Sequence, residues 1–291
     1  MRYIYGFALI YGLSLNIKSD VEGLWRMEDL MLYETVVFEK ENGIGIVTLN
    51  RPDHLNALSI KLKEELSEVL VDMERDPEVK VVILTGGKKC FCSGSDIKER
   101  LILKMTQSEF YSFQRKAHDF FGRIENFDKP VIAAISGVAI GGGCELALVC
   151  DLRIASDTAR FGFPEVKIGI IPAGGGTQRL SRLIGIAKAK EMLFTGDLID
   201  PEEAYRLGLV NKVAPGDQLM EEAMKLAGRF LSHAPLALKF AKRAINVGIQ
   251  VDLTSALDFE AQCASLLAGS EDFNEGLLAF SEKRKPVFRG R

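Results

Sequence analysis

Three consecutive glycines at 141–143 lie between an apolar stretch and a short apolar segment, residues 144–149. Glycine accepts positive φ angles and lets the backbone approach a bound group closely, so this run restricts the chain to a tight turn. Glu145 falls in the first turn of the helix predicted for the apolar segment, where backbone N–H groups have no partner within the helix. The sequence therefore brings amide donors and one carboxylate together.

A second acid has a similar setting. Glu165 follows Phe163-Pro164 and precedes another glycine run at 174–176. A carboxylate beside glycine turns and apolar side chains has its pKa raised by desolvation, which suits proton transfer near pH 7. Two such acids can activate a water and protonate a carbon, or move a proton between carbons. The same pattern also fits two tight turns with exposed acids, and spacing alone leaves both interpretations open.

Acid–base chemistry next to a carbonyl also needs two backbone N–H donors for the oxygen that becomes an enolate. Gly142, at the predicted helix start, can supply one of them. The loop 93–95 can supply the other, because it leads into a helix predicted to begin at Ile97. For Ser95, a plain role as the N-cap of that helix is the alternative.

Several other chemistries lack their motifs in this sequence. There is no G-x-x-x-x-G-K-[ST], G-x-G-x-x-G or G-x-S-x-G pattern. His54, His118 and His233 are scattered, which favours packing roles and leaves a Ser or Cys nucleophile without a base. The pair Cys90-x-Cys92 has no second Cys pair and no nearby His, so we predict no metal site.

The composition is that of an ordinary globular protein of 291 residues, 47% hydrophobic, with a net charge of −3. This charge provides no general attraction to nucleic acid or to an anionic membrane. The five cysteines are odd in number and lie mostly in apolar runs. They favour reduced thiols and an intracellular, cytoplasmic protein over a disulfide framework.

The N-terminus differs from the rest of the chain. An apolar stretch at 3–15 follows Arg2, but it is too short to span a bilayer and has no clear cleavage site. Fold-like patterning resumes near Met31, so we interpret residues 1–30 as an appended or mis-started leader, with translation beginning at Met27 or Met31. A targeting segment, which would place the protein in an organelle matrix, is the alternative.

The remaining pattern predicts an α/β fold in two parts without a flexible linker. Residues 31–195 alternate short apolar strands with amphipathic helices, and residues 196–291 are nearly all helical. The predicted strands are 34–39, 44–49, 81–85, 131–135 and 151–155. The predicted helices include 58–73, one that begins at a Thr106–Glu109 capping box, and, towards the C-terminus, 187–194, 201–207, 218–231, 235–247, 253–267 and 273–283.

Six segments, in order and spacing, resemble the enoyl-CoA hydratase/isomerase (crotonase) superfamily. They are Leu-Asn-Ala-Leu at 55–58, Phe-Cys-Ser-Gly-Ser-Asp-Ile-Lys-Glu at 91–99, Ile-Gly-Gly-Gly-Cys-Glu-Leu-Ala at 140–147, Phe-Pro-Glu at 163–165, Ile-Pro-Ala-Gly-Gly-Gly-Thr-Gln-Arg-Leu at 171–180, and Ala-Phe-Ser-Glu-Lys-Arg at 279–284. The resemblance covers residues 32–288. It implies a spiral of ββα repeats, a C-terminal helical trimerisation subdomain, a homotrimer or homohexamer, acyl-CoA substrates, and no metal or redox cofactor.

The resemblance also implies roles for individual residues. Backbone N–H groups of Ser95 and Gly142 form an oxyanion hole for the thioester carbonyl. Glu145 and Glu165 hold the catalytic water, and Glu165 protonates the α-carbon while Glu145 helps to deprotonate the water. Residues that would contact substrate or coenzyme A are Leu55, Ala57, Ser93, Ile97, Lys98, Gly141, Pro172 and Ala173, together with Phe280 and Lys283, the last two from the same or a neighbouring subunit.

Two positions depart from the common family pattern. Ser95 stands where many members have Ala, and Ala173 stands where hydratases often have Gly. Because the donor at 95 is backbone, we expect its function to survive.

The resemblance favours a 2-enoyl-CoA hydratase that forms a 3-hydroxyacyl-CoA, because both acids are present. An enoyl-CoA isomerase, a dehalogenase, a C–C lyase and a hydratase of a cyclic dienoyl-CoA are alternatives within the family. An RNA-binding role is the alternative from another class. The helix beginning at Thr106 carries Arg115, Lys116 and Arg123 among acids, which indicates a solvated face rather than a basic stripe.

Overall fold

The computed structural model describes residues 33–291, so the predicted leader and its alternative start sites lie outside the described residues. The strands are β1 (Val36–Glu41), β2 (Ile44–Leu49), β3 (Val81–Thr85), β4 (Val131–Ile135), β5 (Val138–Ile140), β6 (Leu152–Ser156), β7 (Arg160–Gly162) and β8 (Lys212–Ala214). The helices are α1 (Ile60–Arg75), α2 (Ile97–Leu103), α3 (Gln107–Glu125), α4 (Gly142–Leu148), α5 (Gly176–Ile184), α6 (Ile186–Thr195), α7 (Pro201–Arg206), α8 (Leu219–Leu231), α9 (Pro235–Gly248), α10 (Leu253–Ala268) and α11 (Glu271–Ser281). Short 3₁₀ turns cover Pro52–His54, Pro164–Ile168 and Gly216–Gln218.

A six-stranded sheet with the order β1-β2-β3-β4-β6-β8 forms the framework. The hairpin β1–β2 is antiparallel, and every other neighbouring pair in this sheet is parallel. Strands β5 and β7 form a separate parallel pair. Since β3 and β4 are parallel neighbours, the loops that leave their carboxyl ends emerge at the same edge of the sheet, the usual place for a ligand site in such folds.

Those two loops are also tied to each other. The Cys92 N–H donates to the Val138 carbonyl oxygen at 3.0 Å, and the Ile140 N–H donates to the Cys92 carbonyl oxygen at 3.1 Å. The loop after β3 therefore lies directly beside the chain that enters the glycine run. This pairing places segment 92–96 and segment 140–145 side by side.

Both faces of the sheet are covered, which explains why β3 and β4 are continuous apolar runs rather than alternating ones. Val82 and Leu84 point into a large core with α1, α3 and α4. The alternate residues Val81 and Ile83 point into a second core, to which α8 contributes Leu219, Ala223 and Ala227. All ten residues of β3 and β4 are buried.

Helix α1 begins at its N-cap Ser59, whose side chain accepts a hydrogen bond from the Leu62 N–H. Apolar residues recur at helical spacing at Leu58 and, within the helix, at Leu62, Leu66, Val69, Leu70 and Met73, and these last five are the buried residues of α1. The capping box predicted at Thr106 and Glu109 is confirmed at the start of α3.

The spacing of apolar residues after the capping box predicts a buried face made of Phe110, Phe113, Ala117, Phe120 and Ile124, and this prediction is only partly right. Phe120 and Ile124 are buried as predicted, but Phe110 is 38% exposed. Gln114 and Phe121 are buried instead. The reason is that only the C-terminal half of α3 packs against the main core, whereas its N-terminal half lies over the cavity described below.

Beyond residue 195, the structure contains a strand that we did not predict. The three-residue β8 pairs with β6 at the edge of the main sheet, and α8 packs on β3, β4 and β6. The short strands β5 and β7 and helix α5 were missed as well, because three-residue strands carry no measurable periodicity and α5 follows directly on a glycine run. The division into a core at 31–195 and a helical subdomain at 196–291 stays a prediction.

The last three helices lie in chain order, α9 packing on α10 and α10 on α11. No residue of α9 is buried, and Cys263 is the only buried residue of α10. Helix α9 is held to the body of the protein by polar contacts, among them a 2.8 Å ion pair between Lys242 and Asp151. None of the described helices is long and apolar enough to cross a membrane.

Candidate active site

The loop before α2 runs beside Leu58 in the manner of a strand. The Leu58 N–H donates to the Gly94 carbonyl oxygen at 2.7 Å, and the Asp96 N–H donates to the Leu58 carbonyl oxygen at 3.4 Å. Because successive N–H groups of an extended chain point to opposite sides, the Ser95 N–H faces away from Leu58. It has no acceptor among the described residues.

The N-cap alternative for Ser95 is wrong. The N-cap of α2 is Asp96, whose carboxylate accepts a hydrogen bond from the Glu99 N–H at 3.2 Å. Asp96 also forms a 3.0 Å ion pair with Arg51, which fastens the loop to the segment after β2.

Gly142 presents a second free N–H at the start of α4. Its N-cap Gly141 has a φ of 53°, a conformation that favours glycine. As expected for the first turn of a helix, the Gly142 N–H has no acceptor in the described part of the chain. A Cβ placed on Gly142 would lie 3.4 Å from the Ser95 nitrogen, so the two donors are close enough to bind one oxygen.

Glu145 is buried one turn into α4, and the second glycine run holds it in place. Its Oε1 accepts hydrogen bonds from the N–H groups of Gly174, at 2.7 Å, and Gly176, at 2.8 Å. Burial raises the pKa of Glu145 above its usual value of 4.5, and the hydrogen bonds from Gly176 and Gly174 oppose this rise. With Oε1 anchored, Oε2 is the oxygen left for chemistry.

Glu165 lies in the 3₁₀ turn Pro164–Ile168 and reaches the turn before α4. A Cβ on Gly141 would lie only 2.7 Å from its Oε1, so the glycine makes room for this carboxylate. Its Oε2 is buried and has no hydrogen-bond partner among the described residues. Burial, helped by repulsion from Glu145, raises the pKa of Glu165 to about 7, and attraction by Arg100 works against this rise. Glu165 can therefore take up or release a proton near neutral pH.

Two side chains fasten the loop that holds Glu145. Arg179 makes a two-pronged ion pair with Glu125, at 2.8 and 2.7 Å, and also donates to the Gly174 carbonyl oxygen at 3.1 Å. His118, to which we had assigned only packing, places its Nε2 at 2.7 Å from the Ala173 carbonyl oxygen. Both contacts act on the backbone next to the Gly174 donor.

The two acids and the two donors meet in one small cavity of about 40 Å³, which has room for a water molecule. Five residues that we singled out line it: Ser95, Gly142, Glu145, Glu165 and Ala173. We missed seven further lining residues, which are Lys63, Arg100, Phe113, Gln114, Ala117, Phe121 and Ile170. The first six come from α1, α2 and α3, and only the position of Arg100, shortly after the donor loop, offered a sequence signal.

The other predicted contact residues lie outside this cavity. Leu55 and Ser93 lie together, with the Ser93 N–H donating to the Leu55 carbonyl oxygen at 3.0 Å. Ala57 and Pro172 are buried, whereas Ile97 and Lys98 are exposed at the start of α2. Phe280, at the end of α11, is 87% exposed, and Lys283 follows it in an exposed left-handed conformation with a φ of 57°. The structure does not bring these last two residues to the acids of the same chain.

The described residues contain no group of three or more His, Cys, Asp or Glu side chains that could hold a metal ion. The five cysteines are all buried free thiols. Burial raises the pKa of Cys92 to about 12, so this thiol stays protonated at neutral pH.

Known proteins share this architecture. The crystal structure of an enoyl-CoA hydratase from Bacillus anthracis superposes with a TM-score of 0.84 and 41% identity, covering 89% of this chain and 100% of that one. The fold and the paired acids define a crotonase-fold enzyme. A family model for enoyl-CoA hydratase/isomerase matches residues 39–291. The chain belongs to the enoyl-CoA hydratase/isomerase family.

Two relatives are similar over most of their length. The short-chain-enoyl-CoA hydratase of Clostridium acetobutylicum is 47% identical over 256 residues, which cover 88% of this chain and 97% of the relative. The crotonyl-CoA hydratase of Syntrophomonas wolfei is 44% identical over 259 residues, which cover 89% of this chain and 99% of the relative.

Proposed function

We propose that this protein is an enoyl-CoA hydratase that adds water reversibly across the double bond of a 2-enoyl-CoA thioester. The observation that carries the proposal is the shared cavity, in which two unpaired N–H donors and two carboxyls with raised pKa values face the same space. The match to hydratases that act on short-chain enoyl-CoA and crotonyl-CoA supports a short acyl substrate.

The geometry suits a concerted set of proton transfers. The thioester carbonyl oxygen accepts hydrogen bonds from the Ser95 and Gly142 N–H groups, which stabilise the negative charge that develops as the enolate forms. Oε2 of Glu145 removes a proton from water while the water oxygen bonds to the β-carbon. Protonated Glu165 delivers its proton to the α-carbon. The two acids together still carry one proton, which is now on Glu145 and no longer on Glu165.

Both acids are retained, which supports hydration over the isomerase and the other crotonase-type reactions. An isomerase moves one proton between carbons of the same substrate and needs no second carboxylate to deprotonate water. Here Glu145 is buried and anchored by two N–H donors, an arrangement suited to holding a water rather than to a structural ion pair. We propose that no cofactor takes part, because two acids and two amides account for every bond made or broken.

The remaining predicted residues fit a coenzyme A site that extends outward from the cavity. Leu55 and Ser93 lie in the segments after β2 and β3, and Ile97 and Lys98 are the first two residues of α2. Phe280 and Lys283 are exposed and far along the chain from these loops, so we propose that they act on a neighbouring subunit's coenzyme A. An exposed apolar set on the last three helices supports a homotrimer or homohexamer: Ile245, Ile249, Leu253, Leu257, Leu266, Leu277 and Leu278. Reduced, buried cysteines support a cytoplasmic protein.

The test is hydration of crotonyl-CoA by the purified protein without any added cofactor, followed as loss of the enoyl-thioester absorbance. Glu145→Gln and Glu165→Gln should each reduce kcat by about 10²–10⁴-fold, while acyl-CoA binding persists. A variant that hydrates crotonyl-CoA at a near-normal rate would overturn the role proposed for that acid. Accumulation of an enoyl-CoA whose double bond has moved, instead of the 3-hydroxyacyl-CoA product, would identify an isomerase. Salt-sensitive retention of AU-rich RNA on a filter would support the RNA-binding alternative.

A further inference from the structure

The cavity contains two cations that the hydration mechanism does not use. Lys63, from α1, and Arg100, from α2, both line it together with the two acids. Their charged groups lie against the same aromatic ring: Nζ of Lys63 is 4.8 Å from the centroid of Phe113, and Cζ of Arg100 is 5.6 Å from it. Two like charges beside one aromatic ring repel each other, so their proximity is unfavourable unless an anion binds between them.

Neither cation is neutralised within the described part of the chain. Lys63 makes no hydrogen bond and no ion pair there, although Glu99 and Glu64 attract it at longer range. The Arg100 side chain has a single hydrogen bond, from Nη2 to the buried Gln114 amide oxygen at 3.3 Å, and its Nε is buried without a partner among the described residues. A buried donor without an acceptor is costly, so the site is incomplete as it stands.

Burial lowers the pKa of both side chains, as expected for cations that have no counter-ion beside them. It lowers the pKa of Lys63, and the nearby charge of Arg100 lowers it further. Burial also lowers the pKa of Arg100, although Glu145 and Glu165 attract it. An anion bound between the two side chains would reverse both effects.

The charge balance of the cavity favours an anionic acyl group. During turnover, Glu145 and Glu165 share one proton and carry one negative charge, while Lys63 and Arg100 carry two positive charges. A crotonyl tail leaves the excess positive charge without an anionic partner inside the cavity, since Glu99 and Glu64 attract Lys63 only at longer range. A carboxylate on the far end of the acyl chain would balance it and would supply the acceptor that Arg100 lacks.

The geometry points to a carboxylate subsite formed by Lys63 and Arg100, which selects 2-enoyl-CoA substrates whose acyl chain ends in a carboxylate. This inference rests on the proposed hydratase function. The cavity is small, so the acyl tail must displace the two cationic side chains, which are long and have several rotatable bonds. The guanidinium fork and the ammonium then bind the carboxylate from two sides.

The experiment compares two substrates that differ by one carboxylate: crotonyl-CoA and 4-carboxybut-2-enoyl-CoA. We expect the wild-type kcat/KM to favour the carboxylated substrate about tenfold or more. Lys63→Met and Arg100→Met should each lower that preference about tenfold, whereas Lys116→Met, an exposed cation on α3, should leave it unchanged. A wild-type preference for crotonyl-CoA, or a preference that both variants retain, overturns the subsite.

A binding measurement separates this inference from the hydratase proposal and needs no variant to fold. The saturated analogues 4-carboxybutanoyl-CoA and butanoyl-CoA are titrated into the wild-type protein by calorimetry. Tighter binding of the carboxylated analogue by about tenfold supports the subsite even if no hydration is seen. Equal binding overturns it even if crotonyl-CoA is hydrated rapidly.

Discussion

The Gly174 N–H donates a 2.7 Å hydrogen bond to Oε1 of Glu145, and this bond joins the two glycine runs into one site. The same glycine has no space for a side chain. A Cβ at position 174 would lie 2.3 Å from a ring carbon of Phe121 and 2.4 Å from Oε2 of Glu145. The loop can therefore approach the acid only as glycine, and the second run holds Glu145 through its backbone N–H groups.

We predict that Gly174→Ala lowers both stability and activity. The added methyl group forces Phe121 or the loop to move, which costs about 1–3 kcal/mol in the free energy of unfolding. The displaced N–H no longer holds Glu145, so kcat for crotonyl-CoA should fall about tenfold or more. Urea unfolding and steady-state kinetics measure the two effects. Gly228→Ala is the matched control, because a Cβ there meets nothing within 4 Å and lies within helix α8. If Gly174→Ala changed neither the free energy of unfolding nor kcat, the loop would not be what positions Glu145.

The second prediction concerns pH. Hydration needs one proton on the pair Glu145–Glu165, in either direction of the reaction. The pKa of Glu165 is raised to about 7, so kcat/KM should fall as pH rises above about 7 and the pair loses its last proton. It should fall again in acid, where Glu145, whose pKa is also raised, takes up a second proton. The measured profile should be bell-shaped, and Glu165→Gln should remove the alkaline limb from whatever activity remains. A flat profile between pH 6 and 9 would contradict the shared proton.

A related stability effect follows from the same group. Because the pKa of Glu165 is raised in the folded state, its contribution to stability is fully present in acid, below the unfolded value of 4.5, and is lost as pH rises through about 7. Glu165→Gln should therefore be more stable than the wild type at pH 8, by about 1–2 kcal/mol once solvent screening of this partly exposed group is included. At pH 4 the two proteins should unfold at the same urea concentration.

The third prediction separates the backbone of Ser95 from its side chain. Ser95→Ala should hydrate crotonyl-CoA within about threefold of the wild-type rate, because the donor is the N–H group. Ser95→Pro removes that N–H and no internal hydrogen bond, since the pairing with Leu58 uses the Gly94 carbonyl and the Asp96 N–H. Its kcat should fall about 10²-fold or more. Circular dichroism checks that the variant is folded, and a folded Ser95→Pro with full activity would exclude this oxyanion donor.

The fourth prediction concerns the attachment of α9. Oδ2 of Asp151 accepts from the Val131 N–H at 2.7 Å and pairs with Lys242 at 2.8 Å. Burial raises the pKa of Asp151, and Lys242 opposes this rise. Lys242→Met leaves the partly buried carboxylate without its counter-ion and should lower the free energy of unfolding by about 3 kcal/mol. The loss should shrink as pH falls, because protonated Asp151 needs no counter-ion.

Lys239→Met provides the control for that experiment. Lys239 also ties α9 to the body of the protein, through Asp128, but Asp128 keeps a second partner in Arg243 at 2.7 Å. Removing Lys239 should therefore cost about 0–1 kcal/mol. Equal losses for the two variants would show that α9 is held by charge in general and not by the partly buried pair of Lys242 and Asp151.

The amino-acid sequence by itself determined the elements with strong periodicity and the residues in the turns. Strands β2, β3 and β4 have the bounds that their apolar runs predicted, and the buried stripe of α1 contains the five residues expected within the helix. Strand β1, predicted at 34–39, begins and ends two residues later, at Val36 and Glu41. The glycine runs also indicated where backbone N–H groups are free, because only the local conformation is needed for that inference.

Only the tertiary structure decided which distant segments share the cavity. Parallel pairing of β3 and β4 brings the 92–96 loop beside the glycine run at 141, and α5 carries the second run back to Glu145. Lys63 has no local signal that distinguishes it from other helix-surface cations, and Arg100 has only its position shortly after the donor loop. Their role depends on burial and on the absence of partners within the described residues, which are properties of packing between helices and not of sequence spacing.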